Sequence, residues 1–253
     1  MFQGLYKATA GMLTQNRNLN VISNNMANVS TSGYKSERYM ATTFEEVLIS
    51  RIGNKDKSSA SPLGTMSMIR ASDETVTDYS NTGYYPTRNA LDFAISGDGF
   101  FCIQTNNGTV YTRNGSFTLD DQGYLTLPTI GRVLGENGPI RLGTDKIRVG
   151  SNGAIYDEET NRRYGTLRIV DFQDYDTQLV KTTGNVFLAP GGGAQDAGNA
   201  TKVVGKALEY SNVDAVEEMV QMMSGQRALQ SSSEILKMYD QLTGKIVSQL
   251  GPA

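Results

Sequence analysis

Leu5, Met12, Leu19 and Met26 recur every seven residues, and Ala8, Gln15, Ile22 and Val29 form a second row three residues on. Alternating steps of three and four place both rows on one face of a helix, the signature of a coiled coil. An ordinary amphipathic core helix is the other reading of the same face. Gln15 is the polar member of the rows, and Asn18 lies off both. The spacing predicts a helix of about 30 residues, about 45 Å long. Gly33 fits a left-handed C-terminal cap for it, with Tyr34 as the apolar residue that follows.

Such a helix does not stand alone. Asn16, Asn18, Asn20, Asn24, Asn25 and Asn28 are poor helix formers, and Gly4 and Gly11 each cost about 1 kcal/mol in a helix interior. Isolated helices are marginal even when built from good formers. The segment therefore needs a partner surface, and its asparagine amides bring both donors and acceptors to that contact.

The far end of the chain has a matching character. Ser211 and Asn212 are candidate N-caps, followed by Asp214, Glu217 and Glu218 in the first turns, where the helix dipole favours anions. Val213, Val216, Val220 and Met223 form one apolar face. Leu229, Leu236 and Leu250 form a heptad row broken at Thr243, with Tyr239 and Ile246 on the adjacent row. The two halves do not share a register, which predicts a stutter near Gly225–Arg227. Gly225, Ala228 and Ser232 make a strip of small residues that either admits a close neighbouring helix or is simply exposed. Charge also pairs the ends. Lys7, Arg17 and Lys35 face no acid before Glu37, whereas Glu209, Asp214, Glu217, Glu218, Glu234 and Asp240 outnumber Arg227, Lys237 and Lys245. The ends read as partners, within one molecule or between copies. Exposed pairs are each worth under about 1 kcal/mol, so charge steers this pairing more than it holds it.

Between the ends lie short strands and turns. Phe100–Thr105 and Thr109–Arg113 flank Asn106-Asn107-Gly108, a hairpin signal, and Ser116–Leu119 and Tyr124–Leu127 flank another at Asp120–Gly123. Lys146–Val149 and Ala154–Tyr156 flank Gly150–Gly153, and Arg163–Asp171 and Val186–Leu188 read as further strands. This spacing predicts a barrel-like or sandwich β domain. Lys55–Gly64 reads as a polar loop or linker and Ala189–Gly198 as a flexible connection. The predicted fold class is α+β, with N- and C-terminal helices pairing as a coiled-coil-like assembly domain around a central antiparallel all-β domain. The boundaries are 1–72 for the N-terminal helix and extended connector, 73–206 for the β domain and 207–253 for the C-terminal helix.

Composition narrows the chemistry. The 253 residues include no His and one Cys, Cys102. Without His there is no His-based triad, H-E-x-x-H zinc site or imidazole general base, and one thiol makes no intramolecular disulfide. Cys102 sits in the apolar run Phe100–Ile103 and reads as a buried small hydrophobe. Asp171, Asp174 and Asp176 lack the Gly and Glu of a calcium loop, Gly97-Asp98-Gly99 is a turn rather than a phosphate cradle, and adjacent Asp120 and Asp121 fit turn chemistry. No catalytic, cofactor-binding or metal site is expected, and no enzyme activity. A net charge of −3 without a basic stripe argues against nucleic acid, and no run of 18 apolar residues predicts a membrane span. The N-terminus lacks the apolar core of a cleaved secretory signal, so the chain is expected to be cytosolic or exported by a route that needs none.

Leu19–Lys35, LNVISNNMANVSTSGYK, closely resembles the N-terminal signature of bacterial flagellar rod and hook proteins. Leu208–Gln230, LEYSNVDAVEEMVQMMSGQRALQ, resembles the family's matching C-terminal signature, with Met222-Met223 where an M-I pair is common. AISGDGFFCI, YTRNGSFTLDDQGYL and VLGENGPIRL resemble its β domain. The resemblance implies a structural subunit of the basal-body rod, of proximal-rod or distal-rod type. Such a subunit polymerises helically into a hollow, torque-bearing drive shaft across the periplasm. It also implies export through the flagellar type III apparatus without a cleaved signal. The implied partners are further copies and adjacent rod and hook proteins. A hook-type axial protein, or a carbohydrate-binding or enzymatic β protein with helical flanks, is the alternative. The expected assembly interface comprises Leu5, Ala8, Met12, Leu19, Ile22, Asn24, Asn25, Met26, Asn28, Val29, Gly33 and Tyr34. At the other end it comprises Asn212, Val213, Val216, Val220, Met223, Gln226, Arg227, Leu229, Leu236 and Tyr239.

Overall fold

A computed structural model describes residues 2–41, 47–51, 61–66, 74–198 and 201–250. An N-terminal helix, Phe2–Ala27, precedes a mostly antiparallel β region, and a C-terminal helix, Ala215–Leu250, follows it. The chain divides into two compact units. One joins residues 1–26, 37–76 and 215–253; the other joins 27–36 and 77–214.

In the first unit, the N-terminal helix stops at Ala27, earlier than the spacing predicts. The chain turns at once: Thr31 N–H and Oγ1 both donate to Asn28, to its carbonyl and to Oδ1. Asparagine offers the backbone this local alternative to the helix. Val29 therefore does not extend the heptad row. Gly33 does take a left-handed φ of 63°, but six residues beyond the helix, so it is not the helix cap. The C-terminal helix runs unbroken over 36 residues. It starts at Ala215, and Asn212 is engaged elsewhere. Two hairpin-like pairs complete this unit, Glu37–Met40 with Glu74–Thr77 and Val47–Arg51 with Ser61–Met66. Ser61–Gly64, expected in a loop, is thus strand, while residues 55–60 lie outside the described residues.

The second unit is organised around Phe100–Thr105. A continuous apolar run in a strand implies burial on both faces. Phe101 and Ile103 enter one core with Phe93, Phe117, Leu125, Val133, Ile147 and Ile155, whereas Phe100 and Cys102 enter another with Val170, Phe172, Leu179 and Phe187. The strand pairs antiparallel with Gly108–Thr112, Gly131–Gly135 and Ile169–Asp171. Arg163–Asp171 is two strands, not one: Arg163–Thr166 belongs to a separate sheet with Ile147–Val149 and Ala154–Asp157. Within the connection at 189–198, Gln195–Asp196 pairs with Ile169–Asp171. Asp120 Oδ1 accepts from the Gln122 and Tyr124 amides, which is turn chemistry, and Asp174 caps the short helix Tyr175–Gln178. Burial pushes the Cys102 thiol up to about 12. A thiol-specific reagent should therefore label Cys102 at least tenfold more slowly in the native chain than in denaturant. Equal rates would show that the strand is open.

Candidate assembly site

Two arrangements bring the expected residues together, one in each unit. In the first, Leu5, Ala8, Met12, Leu19 and Met26 are half-buried and Ile22 is 3% exposed. A third row, Gly4, Gly11, Asn18 and Asn25, is covered as well, so Asn18 is not off the packed face. Asn24 is exposed. Along the C-terminal helix the covered positions are Ala215, Glu218, Met222, Gly225, Ala228, Leu229, Ser232, Ser233, Leu236 and Tyr239. They form one continuous stripe along the helix.

Specific contacts join these faces. A Cβ on Gly225 would lie 2.8 Å from Leu19 Cδ2, and one on Gly4 would lie 2.6 Å from the Tyr239 hydroxyl oxygen. Asn25 Nδ2 donates to Glu218 Oε1 at 2.8 Å. As numbers rise along the first helix, their partners fall along the second. The small residues are thus where the neighbouring helix comes close, which settles the reading of the Gly225 strip. Asn25 also clamps the chain that leaves the helix: its Oδ1 accepts from Glu37 N–H and its Nδ2 donates to Glu37 C=O. A carboxamide is complementary to a peptide group, so asparagine here acts as one rung of a β ladder.

Val216, Val220 and Met223 are not on the packed face. They are 69%, 56% and 53% exposed, and Gln226 and Arg227 are exposed too. Counting apolar residues selects them, whereas the packed face is built partly of Ala, Gly, Ser and Glu. The exposed apolar residues also fall on two separate flanks. Relative to the packed rows, Val216, Met219 and Met223 lie to one side, Ile235, Met238 and Leu242 lie to the other, and Val220 faces directly away from them.

In the second unit, residues of the two terminal signatures meet. Gly33 N–H donates to Glu209 C=O at 2.9 Å, and Asn212 N–H donates to Tyr34 C=O at 3.3 Å. Asn212 repeats the asparagine clamp: Oδ1 accepts from Ser36 N–H at 2.6 Å and Nδ2 donates to Asp78 C=O at 2.7 Å. A Cβ on Gly33 would collide with the Arg113 carbonyl, and its φ is left-handed, so both space and conformation require glycine. Asn185 Nδ2 donates to Gly33 C=O, and Lys181 Nζ donates to Lys35 C=O while lying 4.0 Å from the centre of the buried Tyr34 ring. Val29, Asn28 and Val213 are half-buried nearby in sequence.

Beneath these contacts lies a buried ionic triad. Glu209 Oε1 accepts from Lys35 Nζ at 2.8 Å, and Glu209 Oε2 lies 3.4 Å from Arg113 Nη1. Lys35 and Glu209 side chains are 1% and 2% exposed. Burial pulls the Lys35 ammonium below its ordinary value, against the neighbouring carboxylate that supports it. Lys35 also donates to Ser80 C=O. Sequence reasoning missed Lys35, Arg113, Lys181, Asn185 and Glu209 as site residues. The available signal was that Lys35 and Glu209 stand inside the two signatures.

Three family models match the chain. Residues 5–35 match "Flagella basal body rod protein", residues 94–157 match "Flagellar hook protein FlgE/F/G D1 domain", and residues 204–250 match "Flagellar basal body rod FlgEFG protein C-terminal". Curated relatives align over nearly the full length. The flagellar basal-body rod protein FlgG of Bacillus subtilis is 33% identical, over 98% of this chain and 99% of the relative. FlgG of Buchnera aphidicola subsp. Acyrthosiphon pisum is 30% identical, over 99% of this chain and 100% of the relative. The rod protein FlgF of Caulobacter vibrioides is 28% identical, over 99% of each chain. Matching signatures at both ends, a matching β segment between them and full-length alignment lead to one assignment: the chain belongs to the family of bacterial flagellar basal-body rod proteins.

Proposed function

We propose that this chain is a structural subunit of the flagellar rod that polymerises helically through its terminal helices, forming a hollow shaft that transmits torque and passes exported subunits. Within the subunit the two helices pair as an antiparallel, coiled-coil-like unit, and the junction of the signatures secures residues 33–36 and 208–212 to the β unit. The observation that carries the reading is the pair of exposed apolar flanks on the C-terminal helix. A helix whose inner face is already covered has no use within one chain for two further apolar surfaces. A subunit gripped by non-equivalent neighbours does, because a heterologous contact that does not close generates a filament. Further copies are the main partners, and adjacent rod and hook proteins adjoin at the ends of the polymer. The chain reaches the periplasm through the flagellar type III export apparatus without a cleaved signal. Among the described residues no helix is long and apolar enough to cross a membrane, in keeping with an axial rather than an embedded component. The role calls for many contacts and no turnover, so no enzymatic step is assigned. Sedimentation and electron microscopy over rising concentration test this: the purified chain should pass from monomer to helical polymers. A chain that stays monomeric at every concentration would contradict it.

A further inference from the structure

The exposed flanks have an unusual composition. Met219 and Met223 stand one turn apart on the first flank and Met238 on the second, all about half exposed, whereas Met12, Met26 and Met222 lie on covered faces. Methionine is flexible and polarizable and adapts to irregular partner surfaces. Its thioether is also the one group on these flanks that a mild oxidant converts from apolar to polar.

We propose that Met219, Met223 and Met238 are modification sites through which peroxide blocks assembly. The inference rests on the reading of the flanks as contacts between copies. In each event the sulfur takes one oxygen atom from hydrogen peroxide and loses two electrons, and the peroxide is reduced to water. The product sulfoxide is polar and chiral, and it places a strong hydrogen-bond acceptor where a neighbouring copy supplies apolar surface. Either flank suffices to stop growth, since a subunit that has lost one of two non-equivalent contacts can join a polymer but not extend it. Copies already in a polymer are protected, because their thioethers are covered.

The test treats dilute full-length chain with hydrogen peroxide, maps oxidation by peptide mass, and then concentrates the sample. Met219, Met223 and Met238 should oxidise at least tenfold faster than Met12, Met26 and Met222, and the oxidised chain should need at least tenfold higher concentration to polymerise. In preformed polymer the same three should react at least tenfold more slowly than in free chain. The M219L/M223L/M238L chain, similar in volume and apolar character, should polymerise equally well with and without peroxide. Untreated chain that polymerises while the oxidised chain does so equally well would overturn this inference and leave the assembly reading intact. So would equal oxidation rates in chain and polymer. Untreated chain that never polymerises would overturn both.

Discussion

Ile22→Asp should abolish incorporation into the rod and leave cells non-motile, while the β unit keeps its own melting transition. Ile22 is 3% exposed in the middle of the packed face, between Leu19 and Met26. Burying an unpaired charge costs several kcal/mol, a large part of the whole stability margin of a small unit. The helices separate, and with them the geometry that sets the two exposed flanks. The proper control is Asn20→Asp, since Asn20 is exposed; Asn18 lies on the covered row with Gly11 and Asn25 and is no control at all. Asn20→Asp should retain motility. The readouts are circular dichroism of the purified chain, recovery of the subunit outside the cytoplasm, and swimming. Equal loss from both substitutions would show that the face containing Ile22 is not what assembly depends on.

Glu209→Gln should lower the melting temperature of the β unit by about 10 °C or more. The carboxylate is shared by Lys35 and Arg113, and its removal strands two buried cations at once. Breaking a buried ion pair from one side costs about 3–5 kcal/mol, and each kcal/mol shifts a unit of this size by about 2–4 °C. Lys35→Met should cost clearly less, because Glu209 would keep Arg113 and the methionine fills much of the same volume. That ordering separates the triad from a general packing defect. Melting by calorimetry decides it. A Glu209→Gln chain that melts within about 2 °C of the parent, or one more stable than Lys35→Met, would remove the triad from the account.

What could be read from the sequence, and what could not, divides along the physics of each element. The N-terminal packed face was legible because Leu5, Met12, Leu19, Ile22 and Met26 are large and apolar and repeat at helical spacing. The C-terminal packed face was legible only at Leu229, Leu236 and Tyr239. Ala215, Glu218, Gly225 and Ser232 are small or polar, and their value lies in letting Leu19 and Asn25 approach, which only a second helix reveals. Counting apolar residues instead chose Val216, Val220 and Met223, which are exposed. The helix end was misplaced by local chemistry at Asn28, whose turn competes with continued helix. Phe100–Thr105 read as a strand with Cys102 buried, and both hold, while the burial of its two faces in two separate cores is seen only in the fold. The junction could not be read at all as geometry. Lys35 and Glu209 stand 174 residues apart, and only the fold brings them together. The family signatures contained both residues, yet in a string of letters they look like any exposed base and acid.

The most direct test of the central claim, that two separate flanks of the C-terminal helix grip neighbouring copies, is a comparison of basal bodies from cells supplied with Met223→Glu or Leu242→Glu chains alone. Met223 and Leu242 are 53% and 56% exposed and lie on opposite sides of the packed rows. A glutamate at either place is well tolerated by an exposed helix, so each purified monomer should match the parent in circular dichroism and melting temperature. Electron microscopy of the isolated basal bodies should then show no rod segment built from either variant. Rods of normal length containing either chain would contradict the account, because one flank would then be dispensable.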